Sequence, residues 1–329
     1  MDKVQWLPAS VFGQALSGSL FFYTGVVLRY NKAPKSYGEL ADILISRGLH
    51  ADKLSLVEVL ERISYYRLSG YWYPFRKKDS DLFLEGTNLD EILMRYEFDR
   101  ELRRMVFSNL DSVEIAIRNR IMHTHVMAYT ATGYKNHRTF KSMHYSQHAS
   151  MMSKFYNEYL RSKSKFVSHF KVKYGLFDDF PLWMACELTS FGSTVKLFQG
   201  MSRQQKLKVS NNFSISEILL ESWLVCLIDL RNLCAHHNRL WNRRFGKSPK
   251  RPGSQSKYPD WYTPVQVFQT DGNARLFPII TVLKFLSGKI GCNEGFAEDM
   301  HTLIRKYPGI PIEQMGFPDN WQKCPVWSR

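Results

Sequence analysis

The sequence predicts a mainly α protein, built as a multi-helix bundle with additional helical N-terminal and C-terminal parts. Three observations support this fold class. Hydrophobic residues recur at three- and four-residue steps in several long segments, which is the period of an amphipathic helix. A convincing alternation of period two, which a half-buried strand requires, does not recur in the sequence. The 329 residues are 44% hydrophobic, which is enough to fill a large core.

Residues 1–29 form an apolar N-terminal extension to which the sequence assigns no function. The stretch at 11–28 is uncharged and moderately apolar, but it contains three glycines and four polar residues. It also lacks a clear basic start and a cleavage site of small residues. A membrane or export segment is the alternative interpretation. We expect a buried or loosely attached extension and no stable membrane association.

Residues 30–88 are expected to form an N-terminal helical region. Ser36 and Glu39 have the spacing of a capping box and predict the start of a first helix. A second helix is expected over about 55–68. Residues 62–76 combine four tyrosines, one tryptophan and three arginines. Aromatic residues at this density usually pack a core, and we expect the same here.

Residues 89–329 are expected to form one large helical domain. Its first part, over about 89–129, predicts one or two long helices. A basic insertion follows at 134–174. The most strongly helical segment runs from 215 to about 242 and contains no glycine or proline. Beyond it we expect two last helices, at about 276–290 and 296–306.

The chain is strongly basic, because 45 Lys and Arg residues against 30 Asp and Glu residues leave a formal charge of +15. Such a field attracts polyphosphates and speeds their encounter with the protein. A charge this large also causes self-repulsion that a small-molecule enzyme does not need. We therefore favour a nucleic-acid partner.

The basic insertion at 134–174 has the composition of a surface that binds single strands. It carries nine Lys and Arg residues, four histidines, nine aromatic residues and a single acid, Glu158. Charge neutralisation and base stacking are the two devices of single-strand binding. A solvated helix face with lysine stems along it is an equal alternative. From this insertion and the aromatic segment before it we assign as RNA contacts Arg62, Tyr66, Arg67, Lys135, Arg138, Lys141, Arg161, Lys163 and Lys165.

Several classes of site find no support in the sequence. The five cysteines contain no C-x-x-C pair and predict neither a disulfide framework nor a zinc ribbon, which fits a reducing cytosol. His144 and His148 lack a nearby acidic or thiolate partner for a metal. Residues 245–248 resemble the end of a phosphate loop without its first glycine, and no G-x-S-x-G elbow occurs. We expect no metal and no cofactor.

A polar cluster at 229–242 interrupts this otherwise apolar segment. On a helical period Asn232, His236 and Arg239 fall on one face, while Arg231 lies about 140° from His236. Arginine can hold a phosphodiester, histidine can move a proton near neutral pH, and RNA supplies its own nucleophile, the 2′-hydroxyl. Such a site would need no metal, and it would form where two such helices meet. The alternative is a set of residues that line and cap a helix.

The segment Arg231-Asn232-x-x-x-His236 resembles the motif of the HEPN ribonuclease superfamily, helical domains that usually dimerise to form the active site. Together with further blocks, it makes the chain from about residue 30 to the end similar to the AbiD/AbiF family of phage abortive-infection proteins. These blocks are YNKAPKSY at 30–37, RISYYRLSGY at 62–71, FDRELR at 98–103, EIAIRN at 114–119, SFG at 190–192, LRNLCAHHNRLWN at 230–242 and MGFP at 315–318.

This resemblance implies a bundle of HEPN type and a metal-independent endoribonuclease toxin in the bacterial cytoplasm. It implies cleavage by 2′-hydroxyl attack, which leaves a cyclic phosphate and a 5′-hydroxyl. A homodimer and a noncoding RNA that controls the protein are also implied. Arg231 would clamp the scissile phosphate, His236 would act as acid or base, and Asn232 would orient them. His237 and Arg239 are expected to contact the RNA.

A second R-N-x-x-x-H segment consists of Arg118, Asn119 and His123. As a genuine second site it would let one chain assemble a composite centre without a partner. The alternative is a chance match in an arginine-rich helix. In that case Glu114, Arg118 and Arg120 would form a surface salt-bridge ladder or grip RNA.

Two other functions stay open at this point. A non-catalytic RNA-binding module of a defence or toxin–antitoxin system needs the same basic aromatic surface, but it does not need Arg231 and His236 as reacting groups. A DNA-binding regulator would use the helices at 36–68 as its reading head, although that segment has no clear recognition helix. Substitution of Arg231 or His236 distinguishes the RNA-binding module from a ribonuclease.

Overall fold

The computed structural model describes residues 32–253, 261, 267–268, 274–292 and 295–328. Within these ranges the chain forms twelve α-helices and no β-strand, which confirms the predicted mainly α fold class. The apolar stretch at 11–28 lies outside the described residues. Among the helices that are described, none is long and apolar enough to cross a membrane.

The described residues divide into two compact units, one up to Ile92 and the other from Leu93 onward. The first contains the start of α4 (Leu89–Ala128) and three earlier helices, α1 (Tyr37–Ser46), α2 (Lys53–Ile63) and α3 (Tyr65–Trp72). The second contains the rest of α4 and α5 (Tyr145–Arg161), α6 (Lys165–Tyr174), α7 (Leu182–Leu188), α8 (Phe191–Gly200), α9 (Arg203–Asn211), α10 (Glu217–Ala235), α11 (Leu276–Lys289) and α12 (Phe296–Lys306). The expected domain limits, 30–88 and 89–329, stay a prediction.

In the first unit, serine side chains cap the starts of α1 and α3. Ser36 and Glu39 form the predicted capping box, in which each side chain accepts a hydrogen bond from the other residue's backbone N–H. The single helix expected over 55–68 is wrong, because Ser64, with a φ of 66°, ends α2 and begins α3. The Ser64 hydroxyl accepts a hydrogen bond from the Arg67 N–H at 3.4 Å. This cap competes with an unbroken helix.

The aromatic segment at 62–76 divides between core and surface. Tyr71 and Trp72 are 1% and 3% exposed, as expected of core residues. Tyr66 and Tyr73 are 86% and 67% exposed, so the core packing expected of this segment does not extend to them, and Tyr66 is accessible as its assignment to RNA contact requires. The segment therefore presents aromatic rings to solvent as well as to the interior.

α4 is the long helix predicted over about 89–129, and it runs through 40 residues. No glycine or proline interrupts it. Its core face recurs at three- and four-residue steps, and every residue of that face is at most 1% exposed: Phe98, Leu102, Val106, Leu110, Val113, Ile117 and Ile121. This period also determines the direction of the polar residues between them.

α10 carries the predicted chemistry and packs against α8, α9 and α11. Ser216 caps its start, since the serine hydroxyl accepts a hydrogen bond from the Leu219 N–H at 3.3 Å. α11 is buried on nearly all sides, as expected of a helix in the middle of a core. α10 therefore lies against an apolar support.

The basic insertion at 134–174 contributes to both core and surface. It includes two short 3₁₀ turns, Gly133–Lys135 and His137–Thr139, and after them the helices α5 and α6. Five of its nine aromatic residues are buried, whereas the other four are exposed: Tyr145, Tyr156, Phe166 and Tyr174. Part of this stretch thus fills a core, and the choice between a single-strand binding surface and a solvated helix face stays a prediction.

Candidate active site

A cavity of about 260 Å³ opens beside α4 and α10 in the second unit. Three acidic residues, two arginines and three apolar residues line it: Asp111, Glu114, Glu187, Arg118, Arg231, Phe107, Leu110 and Ile115. Each arginine belongs to one of the two R-N-x-x-x-H segments. The fold therefore brings the two segments together at one place, although they are far apart in the sequence.

Glu114 joins the two arginines. Its Oε1 accepts a hydrogen bond at 2.7 Å from Arg118, which lies one turn further along α4. Its Oε2 lies 3.4 Å from Nε of Arg231 on α10. The Glu114 side chain is 11% exposed. One largely buried carboxylate thus holds both guanidinium groups and reduces their mutual repulsion.

Both guanidinium groups keep donors for a further anion. Nε of Arg118 is buried and has no hydrogen-bond partner among the described residues, whereas the buried Nε of Arg231 faces Glu114 Oε2 at 3.4 Å without forming a hydrogen bond. A buried N–H without a partner costs free energy, which an anion in the cavity would recover through a charge-assisted hydrogen bond. The Arg231 side chain is 32% exposed and that of Arg118 is 16% exposed. Arg231 is therefore the more accessible of the two from solvent.

The charges around the cavity do not favour an anion by themselves. Asp111, Glu114 and Glu187 supply three carboxylates, against the guanidinium groups of Arg118 and Arg231. Asp111 and Glu187 are exposed, so solvent and salt screen their charge. A phosphate in this cavity still needs a further positive group, from one of the histidines or from another chain.

α10 ends at Ala235, and a turn with defined hydrogen bonds follows it. The His237 N–H donates to the Cys234 carbonyl at 3.0 Å, and the Asn238 N–H donates to the Leu233 carbonyl at 2.8 Å. This is the hydrogen-bond pattern of a Schellman cap, in which glycine is the usual residue at the left-handed position. His237 occupies that position, with a φ of 56°.

The sequence predicts a helix to about residue 242, which would place Asn232, His236 and Arg239 on one face. This prediction is wrong, because α10 ends at Ala235. His236 is the C-cap residue, with a φ of −92° and a ψ of 12°, and Arg239 lies beyond the helix. Asn232 and His236 are exposed, and neither lines the cavity. In this segment Arg231 lines the cavity, whereas His236 lies at the end of the helix.

The second segment lies in the middle of α4. Asn119 and His123 are exposed, and neither lines the cavity. The alternative interpretation, a salt-bridge ladder, is confirmed for one pair, since Glu114 and Arg118 form an ion pair. Their side chains are only 11% and 16% exposed, so the pair belongs to the cavity and not to the outer surface.

His144 and His148, the pair considered for a metal, have structural contacts instead. Nδ1 of His144 accepts a hydrogen bond from the Ser146 N–H at the start of α5, at 3.3 Å. Nε2 of His148 lies 2.9 Å from the Tyr134 carbonyl, and burial lowers the pKa of His148. In the described part of the chain, no three His, Cys, Asp or Glu residues form a group that could hold a metal.

The residues assigned to RNA contact differ in how accessible they are. Arg239 is partly buried, and its guanidinium lies 6.0 Å from the centroid of the Trp241 ring. Nζ of Lys135 donates to the Phe177 carbonyl, and burial lowers the pKa of Lys135 to about 8. Lys135 is therefore the least suited of the set to hold a phosphate. The remaining members are exposed: Arg62, Tyr66, Arg67, Arg138, Lys141, Arg161, Lys163, Lys165 and His237.

Cys234 lies inside the Arg231-to-His236 segment and does not serve as its nucleophile. It is 5% exposed, and burial raises the pKa of its thiol to about 12. The same effect holds the pKa of Cys186 and Cys226 near 12, whereas Cys292 is exposed. The thiol within the segment is thus protonated at neutral pH.

Sequence reasoning missed Asp111 and Glu187 as cavity residues. Glu114 was recognised as a partner of Arg118, because a glutamate four residues before an arginine on a helix forms such a pair. Its second contact, to Arg231, carries no local signal. Glu187 comes from α7, and only the packing of that helix brings it to the cavity.

A family model described as Abi-like protein matches residues 58–242 of the chain. This range contains both R-N-x-x-x-H segments and every residue that lines the cavity. No curated protein and no solved structure matches the chain.

Proposed function

Because the chain belongs to the Abi-like protein family, we propose that it is a metal-independent endoribonuclease of phage abortive-infection defence. The family associates the chain with abortive infection, and the cleavage of RNA is the further step that we propose. The observation that carries it is the convergence of Arg118 and Arg231 on Glu114 in an open cavity. Two guanidinium groups with unused donors are suited to a phosphodiester.

In this proposal Arg231 clamps the scissile phosphate. Glu114 holds the guanidinium in place through Nε before substrate arrives, and a phosphate oxygen then bonds to the terminal N–H groups of Arg231. Arg118 supports the arrangement from the more buried side. The positive groups stabilise the charge that develops on the phosphorane oxygens.

His236 transfers protons in the reaction. The 2′-oxygen attacks phosphorus while its proton passes to a base, and the 5′-oxygen leaves with a proton from an acid. The products are a 2′,3′-cyclic phosphate and a 5′-hydroxyl. Arg231 and His236 point about 140° apart around the helix, so in this proposal Arg231 reaches the phosphodiester on which His236 acts by means of its long side chain. Asn232 orients the reacting groups.

The active form in this proposal is a homodimer. The cavity of one chain has three carboxylates against two guanidinium groups, and a second copy brings its own His236 and so a second proton-transfer group. The solvent-facing side of α4 near the cavity supports such an interface. Phe107 and Ile115, which line the cavity, are 40% and 54% exposed, and exposed apolar side chains of this kind are typical of a protein contact.

RNA is both substrate and regulator in this proposal, and the protein acts in the bacterial cytoplasm. The net charge of +15 and the exposed lysines and arginines of the basic insertion supply sequence-independent attraction to RNA. The exposed rings of Tyr145, Tyr156, Phe166 and Tyr174 can stack with unpaired bases. A noncoding RNA held on this surface would restrain the toxin.

A specific observation favours the second candidate, a non-catalytic RNA-binding module. His123 and His236 both lie outside the cavity lining, and Glu114 already neutralises part of the charge of Arg231. In such a module the arginines would only hold RNA, and neither histidine would transfer a proton.

Growth and RNA cleavage on induction distinguish the two candidates. Wild type, His236→Ala and the control His169→Ala, which changes an exposed histidine of α6, are expressed in a bacterial host. New 5′-hydroxyl ends are then mapped in total RNA. The ribonuclease predicts arrest and new ends for wild type and His169→Ala only.

Equal behaviour of all three proteins, with RNA still bound to His236→Ala, would instead support the RNA-binding module. Copurified RNA, measured by absorbance and sequenced, would identify the regulator in either case. A wild type that neither arrests growth nor binds RNA would contradict both candidates.

A further inference from the structure

Asp99 is a fully buried carboxylate on α4. Its Oδ1 accepts hydrogen bonds from the backbone N–H groups of Leu240 at 3.0 Å and Trp241 at 2.6 Å. Its Oδ2 pairs with the guanidinium of Arg103, one turn further along the helix. One oxygen thus binds a backbone segment from a distant part of the chain, and the other binds the positive charge that offsets burial.

Leu240 and Trp241 close the turn that follows α10, here named the post-helix turn (residues 236–241). His236 begins it, and the His236 N–H donates to the Asn232 carbonyl at 3.0 Å. The left-handed backbone of His237 is unfavourable for a residue with a side chain. Such a conformation persists only where the surrounding structure fixes it.

The indole of Trp241 adds a further point of attachment. Its ring is fully buried, and the guanidinium groups of Arg95 and Arg239 lie 5.7 and 6.0 Å from the ring centroid. Arg239 belongs to the post-helix turn itself. The far end of the turn is therefore held by its backbone at Asp99 and by its side chains around one ring.

We propose that Asp99 is a positioning residue for His236. The cap of α10 fixes the near end of the post-helix turn and Asp99 fixes its far end, so that the backbone carrying the imidazole has little freedom. Asp99 does this without contact to the substrate. The inference rests on the proposed function, in which His236 transfers protons, and it adds a residue of α4 that supports this step.

Two double variants separate the charge of Asp99 from its binding of the backbone. In Asp99→Asn/Arg103→Gln both buried charges are removed, but the amide oxygen at residue 99 still accepts from Leu240 and Trp241. In Asp99→Leu/Arg103→Met no acceptor remains, and apolar side chains of similar volume fill the space, which generally preserves a fold. The two variants form a matched pair that differs in the acceptor.

The first readout is single-site RNA cleavage with kcat and KM determined separately. We expect the Asn/Gln variant to stay within about threefold of wild type, because it retains the acceptor. The Leu/Met variant should lose at least about tenfold in kcat with little change in KM, because a misplaced acid or base slows the chemical step and not binding. Equal kcat values in the two variants, high or low, would overturn the proposal.

The second readout observes the His236 ring directly and needs no ribonuclease activity. In protein with labelled histidine, the Cε1–Hε1 cross-peak of His236 is assigned by its absence from His236→Gln. We expect this peak to keep its position in the Asn/Gln variant and to shift or broaden in the Leu/Met variant, with the peak of His169 unchanged in both. An unmoved peak in a folded Leu/Met variant would overturn the proposal.

If the proposed ribonuclease function is wrong, the two readouts give a different combination of results. A protein that never cleaves RNA but shows the shifted His236 peak refutes the ribonuclease and supports the positioning role. If Leu/Met does not fold, Asp99→Ala/Arg103→Gln takes its place, with the same expectations. Loss of folding in both, while Asn/Gln folds, would make Asp99 a folding residue and overturn the proposal.

Discussion

The two R-N-x-x-x-H segments share a pattern but differ in their place within a helix. One lies in the middle of α4, a helix of 40 residues, and the other occupies the last turn of α10. Both arginines line the same cavity. His123 lies on the side of α4, whereas His236 is the C-cap residue of α10. The two segments thus agree in the position of the arginine at the cavity and differ in the position of the histidine along its helix.

The largest expected effect is on the rate of RNA cleavage, and it differs between Arg231 and Arg118. Arg231→Ala should reduce cleavage by about 10²–10³-fold, because it removes a donor to the transition-state phosphate. Arg118→Ala should reduce it by only about tenfold, because its role is to orient Glu114. Single-turnover rates on one RNA measure both, with Arg104→Ala, an exposed residue of α4, as the control. Equal losses would mean that both segments contact the phosphate.

A second prediction concerns the carboxylate between the two segments. Glu114→Gln should lower the free energy of unfolding by about 1–3 kcal/mol, because the guanidinium groups of the largely buried Arg118 and the partly buried Arg231 lose their counter-charge. Inorganic phosphate should restore stability more in the variant than in wild type, since the anion replaces the carboxylate. Urea unfolding with and without phosphate, at constant ionic strength, measures this. An equal response of both proteins would show that the cavity does not bind the anion.

A third prediction concerns His125, which follows the exposed His123 by two residues. His125 is fully buried and stacks on Phe140 with 4.7 Å between centroids. Burial, with a smaller contribution from His148, lowers its pKa from 6.5 to about 4. Above pH 6.5 neither state binds this proton, but between 6.5 and 4 the unfolded chain binds it and the folded chain does not. Stability should therefore fall as pH decreases through this window.

The expected loss from His125 is about 2 kcal/mol on going from about pH 7.5 to about pH 5. Urea unfolding at both pH values measures it. His125→Phe should remove this part of the pH dependence, whereas His123→Ala should retain it. A wild-type dependence that survives in His125→Phe would assign the effect to another group.

The smallest expected effect lies in the basic insertion, away from both segments. Lys165→Ala should weaken RNA affinity by a few-fold and lower the slope of log affinity against log salt by about 1, because one phosphate contact is lost. Anisotropy titrations over a range of salt, in a His236→Ala background, measure this. Lys196→Ala, an exposed lysine of α8, serves as the control and should leave the slope unchanged.

The helices could be predicted where local signals agree. α4 follows from an unbroken apolar period without glycine or proline, and α1 begins at the capping box of Ser36 and Glu39. Arg231 and Arg118 were recognisable as candidate site residues from their segments. In each case the information lies within a few residues of the feature.

The end of α10 could not be predicted, because His237 takes a left-handed position that a glycine normally marks. What holds the chain there lies far away, on Asp99 of α4. Glu187 reaches the cavity in the same way, through the packing of α7. These features depend on tertiary contacts between distant parts of the chain, which local propensity does not contain.

The buried thiol of Cys234 has a consequence for how the molecule responds to oxidants. A protonated, inaccessible sulfur reacts slowly with peroxides and alkylating reagents, so the segment between Arg231 and His236 is chemically protected. Cys292, which is exposed, is the thiol that such reagents reach first. A fluorophore attached to Cys292 would report the association of two copies by energy transfer without a label in the cavity.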